Sequence, residues 1–306
     1  MLRKFNVLFE RYKSKKLLWT LSNGINYRKH LFWVKDKSIK GLIIERRAYN
    51  KTKKLIKKKI MSFDLTKKLH KKDEDIVWTC WLQGIDKAPL LVKKCIYRMQ
   101  NVFGNDKVII IDLNNYSNYV DLPKIIIDKY NKKIISHAHF SDILRVFLLA
   151  KYGGTWIDST VYILDDVPSF MIKSDFFMFN NNNRNSLLKY SNWYISTSAN
   201  NPVIVEMCNL VVYHWTKKNC LFHYLSFHIM LSIVLDCYTE IRDSIPLFSN
   251  INPHMLSYLC NESFNEVQYE IIKKVCPIQK MSNKTVFSKG DTYFNHIFLG
   301  EESEIK

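Results

Sequence analysis

Asp142, Arg145, Asp158 and the hydroxyls of Ser159 and Thr160 are the side chains in this sequence whose types and spacing best fit shared chemistry. Asp142 and Arg145 stand three residues apart, which puts them on one face of a helix. Ile143, Leu144, Val146, Phe147, Leu148 and Leu149 surround them, so that helix is apolar almost all round and belongs in a core. A charged pair there is costly unless it is satisfied, and buried charge marks functional sites as well as structural ion networks. Gly153-Gly154 ends the helix and frees the backbone to approach a ligand. Thr155-Trp156-Ile157 then reads as a buried strand that delivers Asp158 to its end. Asp158 and Thr160, two apart, point the same way from such a strand. A carboxylate and a hydroxyl so placed can hold a hard cation, Mg2+ or Mn2+, which completes its shell from water and ligand phosphates. The ion would serve as Lewis acid and template for a departing diphosphate. Arg145 could donate to sugar hydroxyls or phosphate oxygens, and Asp142 could accept from sugar hydroxyls.

The elements that must position these residues alternate. Ile76–Leu82 is a short apolar run, and Gly84 and Pro89 punctuate the chain before a helix near 89–103. Lys107–Asp112 reads as a buried strand, and 121–132 as a helix led by Asp121 and Pro123. The signature helix and strand follow, then strands at 175–180 and 193–197 and helices near 202–218 and 221–238. This order predicts a three-layer α/β domain with a mainly parallel sheet, which binds ligands at the carboxyl ends of its strands. Those ends offer Gln83-Gly84, Asp112 and Asp158.

The chain carries +18, yet residues 1–75 hold 23 Lys and Arg against 7 Asp and Glu, a net +16, and the remainder is nearly neutral. Two amphipathic helices are expected in that segment, over 2–22 and about 42–63. Their basic faces and aliphatic or aromatic anchors suit an anionic membrane surface, and equally suit packing on the main domain with solvated lysines. The domain reading is therefore a basic helical segment over 1–74 and one α/β domain over 75–306. Seven scattered cysteines without a Cys-x-x-Cys pair fit reduced, buried thiols in a cytoplasmic protein. The chain has no Gly-rich phosphate loop, no Gly-x-Ser-x-Gly elbow and no His-Glu-x-x-His. His137 and His139 lack metal-ligand spacing and are expected to cap or solvate the start of their helix.

Trp81-Leu-Gln-Gly84, Ser141-Asp-x-x-Arg145, Gly153-Gly-x-x-x-Asp158, Asn192-Trp193 and a later Gln279-Lys-Met-Ser-Asn-Lys284 occur in this order over about 75–290. In these the chain resembles the bacterial capsular polysaccharide synthesis glycosyltransferases, relatives of the sugar-transferring group that includes the initiating α-mannosyltransferases of yeast. The resemblance implies a GT-A fold and a UDP- or GDP-sugar donor. It also implies transfer, with retention, to a hydroxyl of a growing capsular or surface saccharide, an acceptor that could be carried on an undecaprenyl-type lipid. It places Trp81, Gln83 and Gly84 beside the nucleotide, with Ser141, Gly153 and Gly154 in the donor site. Asp142 and Arg145 would contact the donor, Asp158 would be the metal-side carboxylate, and Lys280 would sit near the diphosphate, with Lys284 a weaker candidate. Many relatives carry Asp-x-Asp where this chain has Asp158-Ser-Thr160, so Thr160 is a second, poorer ligand and the metal is the weaker expectation. Asp165 and Asp166 are expected to be ordinary loop acids. The location that follows is the inner face of the cell membrane, peripherally attached through residues 1–74. Competing readings are a nucleic-acid-binding arm in the basic segment, which lacks a reading motif, a glycoside hydrolase with two carboxylates across a cleft, and a nucleotide-binding relative without turnover.

Overall fold

The computed structural model describes residues 37–60, 76–181 and 187–299. The expected helix over 2–22 lies outside these residues. Five strands form the main sheet: β1 (Val77–Cys80), β2 (Val108–Ile111), β3 (Gly154–Ile157), β5 (Phe176–Asn180) and β6 (Tyr190–Thr197). Their order is β2-β1-β3-β6-β5. β1 pairs in parallel with β2 and β3, while β6 runs antiparallel to both β3 and β5. Four of the five strands thus point one way, and β6 alone is reversed. The strands are largely buried on both faces because both faces are covered, as the α/β reading requires.

Alternation along each strand assigns the two layers. On one face Trp78, Trp156, Phe176, Met178 and Ile195 meet the apolar sides of α3 (Lys124–Asn131), α4 (His137–Tyr152), α6 (Pro202–Lys217) and α7 (Ser226–Leu235). On the other, Val77, Val108, Ile157, Phe177 and Tyr194 meet Met99 of α2 (Leu90–Phe103) and Met171 of α5 (Ser169–Lys173). That second layer also holds a two-stranded antiparallel sheet, β4 (Val161–Ile163) with β7 (Ile278–Lys280). Three layers result, and the chain passes from one outer layer to the other at the end of β3.

α4 forms where the apolar periodicity places it. The Ser136 side chain caps it by accepting from the His139 backbone N–H, and Gly153 ends it at φ 67°. The 221–238 expectation is shortened: only Ser226–Leu235 is helical. Upstream, the Ser226 hydroxyl accepts from the His223 backbone N–H (2.9 Å), and the Leu225 N–H donates to His223 Nδ1 (3.1 Å). Such local bonds compete with helix formation. In the basic segment, α1 (Lys37–Ile56) buries Ala48, Tyr49, Thr52 and Ile56 and packs on α6 and α7. Arg46, Lys53, Lys54, Lys57, Lys58 and Lys59 face outward. No helix among the described residues is long and apolar enough to cross a membrane.

Candidate active site at the carboxyl edge of the sheet

β3 ends where the two outer layers meet, and Asp158 is the first residue beyond it. Its backbone N–H donates to the Trp193 carbonyl (2.9 Å), which fixes its direction. One carboxylate oxygen, Oδ1, accepts from Arg145 Nη2 (2.8 Å) and from Trp156 Nε1 (2.9 Å). Trp156 reaches it because residues two apart share a strand face. The other oxygen, Oδ2, accepts from Lys280 Nζ (3.1 Å), and the same ammonium donates to Thr160 Oγ1. Arg145 therefore comes from the helical layer and Lys280 from the opposite layer, and Asp158 joins them.

Arg145 is the buried hub, 3% exposed. Its guanidinium lies 4.7 Å from the Trp156 ring centroid, and its Nη1 is 3.1 Å from Asp142 Oδ1. Asp142 Oδ1 also accepts from Asn192 Nδ2 (2.9 Å), and His139 Nδ1 lies 3.4 Å from Asp142 Oδ2. The expected helical pair is thus one part of a larger array: two carboxylates, two cations and the hydrogen-bonding side chains of Trp156, Thr160, Asn192 and His139. Burial pushes the Asp158 carboxyl up, but Lys280, Arg145 and the Trp156 N–H outweigh it and hold it below the usual carboxylate range. Asp158 is an anion at neutral pH, and its side chain remains 26% exposed. Both carboxylates are bound by one guanidinium.

The other candidates fall into two groups. At the ends of neighbouring strands, Cys80 closes β1 and hydrogen-bonds with Ser141, within the electrostatic reach of Arg145, Asp158 and Asp112. Burial pushes the Cys80 thiol up to about 12, so it is an inert neutral group. Trp81, Gln83 and Gly84 follow on the same edge. Gln83 is exposed, and Gly84 adopts φ 85° beside Asp112, whose Oδ1 accepts from the backbones of Asn114 and Asn115. The Trp81 indole N–H is buried without a hydrogen-bond partner among the described residues.

Gly153 and Gly154 lie at the opposite end of β3, remote from Asp158. A Cβ on Gly153 would stand 2.5 Å from the Ala199 backbone nitrogen, and one on Gly154 would stand 2.6 Å from the Ile76 carbonyl oxygen. The close approach these glycines permit is to the protein's own backbone. Lys284 is exposed and outside the array, and Asp165 and Asp166 are exposed loop acids.

His139 corrects the expectation of a solvated or capping histidine. It is 4% exposed, packs on Trp215 (5.6 Å between rings) and turns toward Asp142, because Ser136 already fills the cap and the first turn of α4 faces α6. Sequence reasoning also missed His228 on α7. Burial lowers it to about 4, in the field of Asp142, Arg145 and Asp158, and its Nδ1 has no hydrogen-bond partner among the described residues. Trp156 had a readable signal, an indole two residues before a strand-end carboxylate. Asn192 enters only as part of the Asn192-Trp193 pair in the family resemblance, and His228 has no signal, since only tertiary packing brings it in.

The Asp158–Thr160 pair does not fit a divalent cation as it stands. Its donors are one carboxylate and one hydroxyl, and the Lys280 ammonium lies between them. Mg2+ wants about six oxygens at about 2.1 Å and can take most of them from water and phosphates, so the obstacle here is the ammonium seated between the two protein oxygens. Unit charges 4 Å apart interact by about 4 kcal/mol at an effective dielectric of about 20. A divalent ion beside Arg145 and Lys280 would face roughly twice that repulsion from each, offset by its attraction to Asp142 and Asp158, so an array already balanced at zero offers the ion no net field.

The model of a family described as capsular polysaccharide synthesis protein matches residues 28–297. No curated protein matches the sequence. A solved structure described as PaToxG Glycosyltransferase is similar to 78% of this chain and 95% of its own, at 16% identity and a TM-score of 0.38.

Proposed function

The chain belongs to the capsular polysaccharide synthesis protein family, and from that premise we propose that it is a glycosyltransferase working at Asp158. The observation that carries this reading is the array itself. An ionised, partly open carboxylate stands at the carboxyl edge of the parallel strands, between a buried arginine and a half-buried lysine. That edge is where open α/β sheets bind ligands. A donor of the nucleotide-diphosphate class, a UDP- or GDP-sugar, supplies the anionic group that Lys280 would meet. Asp158 orients the lysine and contacts the sugar, while Arg145, too deeply buried to reach a ligand, positions both carboxylates.

In the reaction the bond between the anomeric carbon and the diphosphate oxygen breaks, and its electron pair leaves with the diphosphate. A new bond forms to an acceptor hydroxyl oxygen, whose proton passes to the departing diphosphate. Transfer on the donor's own face retains configuration. Position and electrostatic relief of the leaving group supply most of the acceleration. The acceptor is a growing capsular or surface saccharide, carried on an undecaprenyl-type lipid. Residues 1–74 would hold the enzyme on the anionic inner face of the membrane, where the outward lysines of α1 are suited to lipid headgroups.

UDP, GDP and CMP added separately in thermal-shift experiments should identify the donor base, because a nucleotide that binds the folded state raises the melting temperature by mass action. No response to any of the three would sink the reading. Asp158→Asn should abolish sugar transfer with the far-ultraviolet spectrum unchanged; retained turnover would remove Asp158 from its role. Sedimentation with anionic vesicles tests attachment: Lys53→Glu/Lys57→Glu/Lys58→Glu should weaken it, and undiminished binding would exclude the end of α1 and the turn that follows it.

A further inference from the structure

We infer that Lys280 is a built-in substitute for the divalent cation at the Asp158–Thr160 turn, so that this protein binds a nucleotide diphosphate without metal. The placement is specific. β4 and β7 pair with Lys280 opposite Val161, and the Met281 backbone N–H donates to the Thr160 carbonyl (2.8 Å). The ladder therefore holds the lysine stem against the turn that follows β3, and the ammonium settles between Asp158 Oδ2 and Thr160 Oγ1.

Those two oxygens are where a metal would bind. An ammonium has three donors and no acceptor. Two are directed at Asp158 and Thr160, which leaves the third for a ligand oxygen, and the side chain is 19% exposed. A catalytic metal likewise keeps part of its shell open for substrate. The threonine at 160 fits this arrangement. A second carboxylate would add negative charge that one ammonium could not balance, whereas a hydroxyl accepts from the lysine and stays neutral. With Asp142 and Asp158 against Arg145 and Lys280, the array closes at zero charge without an ion.

The nucleotide part of this inference rests on the transferase reading, and the metal part does not. Mn2+ alone is therefore the first probe. Titrated into the full chain and followed by the loss of its free electron-spin-resonance signal, millimolar Mn2+ should find no site that Asp158→Asn removes. Mn2+ bound by the wild-type protein and lost in Asp158→Asn would overturn the inference. UDP and GDP are then compared in EDTA and in Mn2+ by thermal shift and calorimetry. Equal affinity in the two buffers supports the inference, and stabilisation only in Mn2+ overturns it. Lys280→Met should lose roughly 10- to 100-fold in affinity for the diphosphate, the scale of a hydrogen bond to a charged group. Undiminished affinity in that variant would also overturn it. If neither nucleotide binds in either buffer, the transferase reading fails, and the Mn2+ titration still decides what occupies the turn.

Discussion

The two ends of β3 carry the two halves of Gly153-Gly-x-x-x-Asp158, and they do opposite things. At the start, two glycines with φ of 67° and 89° press against the backbone of Ala199 and the carbonyl of Ile76. The Gly153 carbonyl accepts from the buried Trp78 indole (3.0 Å). At the other end, Asp158 leaves the sheet and meets charged groups from both outer layers. The start is packed against the protein's own chain, and the end keeps a polar group partly open. A motif that reads as one unit is therefore half architecture and half chemistry. The glycines let β3 join β1 and β6 so closely that its last residue arrives where α4 and β7 can both reach it.

The largest effect that separates the ends is expected at the glycines. Gly153→Ala and Gly154→Ala each place a methyl group inside 3.0 Å of backbone, at a φ that side chains rarely adopt. Each should cost upwards of about 3 kcal/mol, read as a lower denaturation midpoint with an unchanged slope. Nucleotide affinity of the surviving folded fraction should be normal. Loss of nucleotide affinity at normal stability would instead place the glycines in the binding site.

The arginine comes next, because it belongs to both descriptions. Arg145→Met keeps much of the packing on Trp156 and removes the charge shared by Asp142 and Asp158. Breaking a buried pair by removing one partner leaves uncompensated charge and costs about 3 kcal/mol, somewhat less here because both carboxylates are partly exposed. Lys280→Met should cost less than Arg145→Met, since Lys280 lies nearer solvent, although its charge helps to hold Asp158 low. Equal stability losses in the two variants would make the array a structural ion network throughout.

These differences explain what could be read from the chain. α4 is legible because its apolar pattern is long and its stop is a glycine pair, and β3 because it follows that pair directly, all local signals. The mainly parallel sheet followed from strand–helix order, and Asp158 from its place at a strand end. Lys280 was reached only through the family resemblance: β7 is three residues long, shows no periodicity, and meets β4 far away in sequence. His139 was misread because its place in the first turn suggested solvent, whereas the approach of α6 and Trp215 buries it. Asn192 and His228 depend on how β6 and α7 lie against α4, which no local pattern specifies.

The effect that is smallest near neutral pH is the pH dependence, and it too divides by region. Burial lowers His228 to about 4 and His214 to about 3, below the ordinary value of 6.5. The unfolded chain then binds more protons than the folded one as pH falls below 6.5, so stability drops through that window and levels off once each histidine is protonated in the folded state. Asp158, also held low, contributes stability that is complete above the ordinary carboxylate value near 3.8 and is lost only as pH falls through its lower folded value. A plot of stability against pH should therefore fall in two limbs, the histidine limb first. His228→Asn should make the upper limb shallower, leaving the share that His214 contributes, and should leave the lower. Asp158→Asn should flatten the lower limb and leave the upper part of the histidine limb, where the carboxylate is ionised in the folded and the unfolded chain alike. An upper limb altered by Asp158→Asn would show that His228 and the Asp158 array titrate as one unit, and the open end of β3 would then extend across α7.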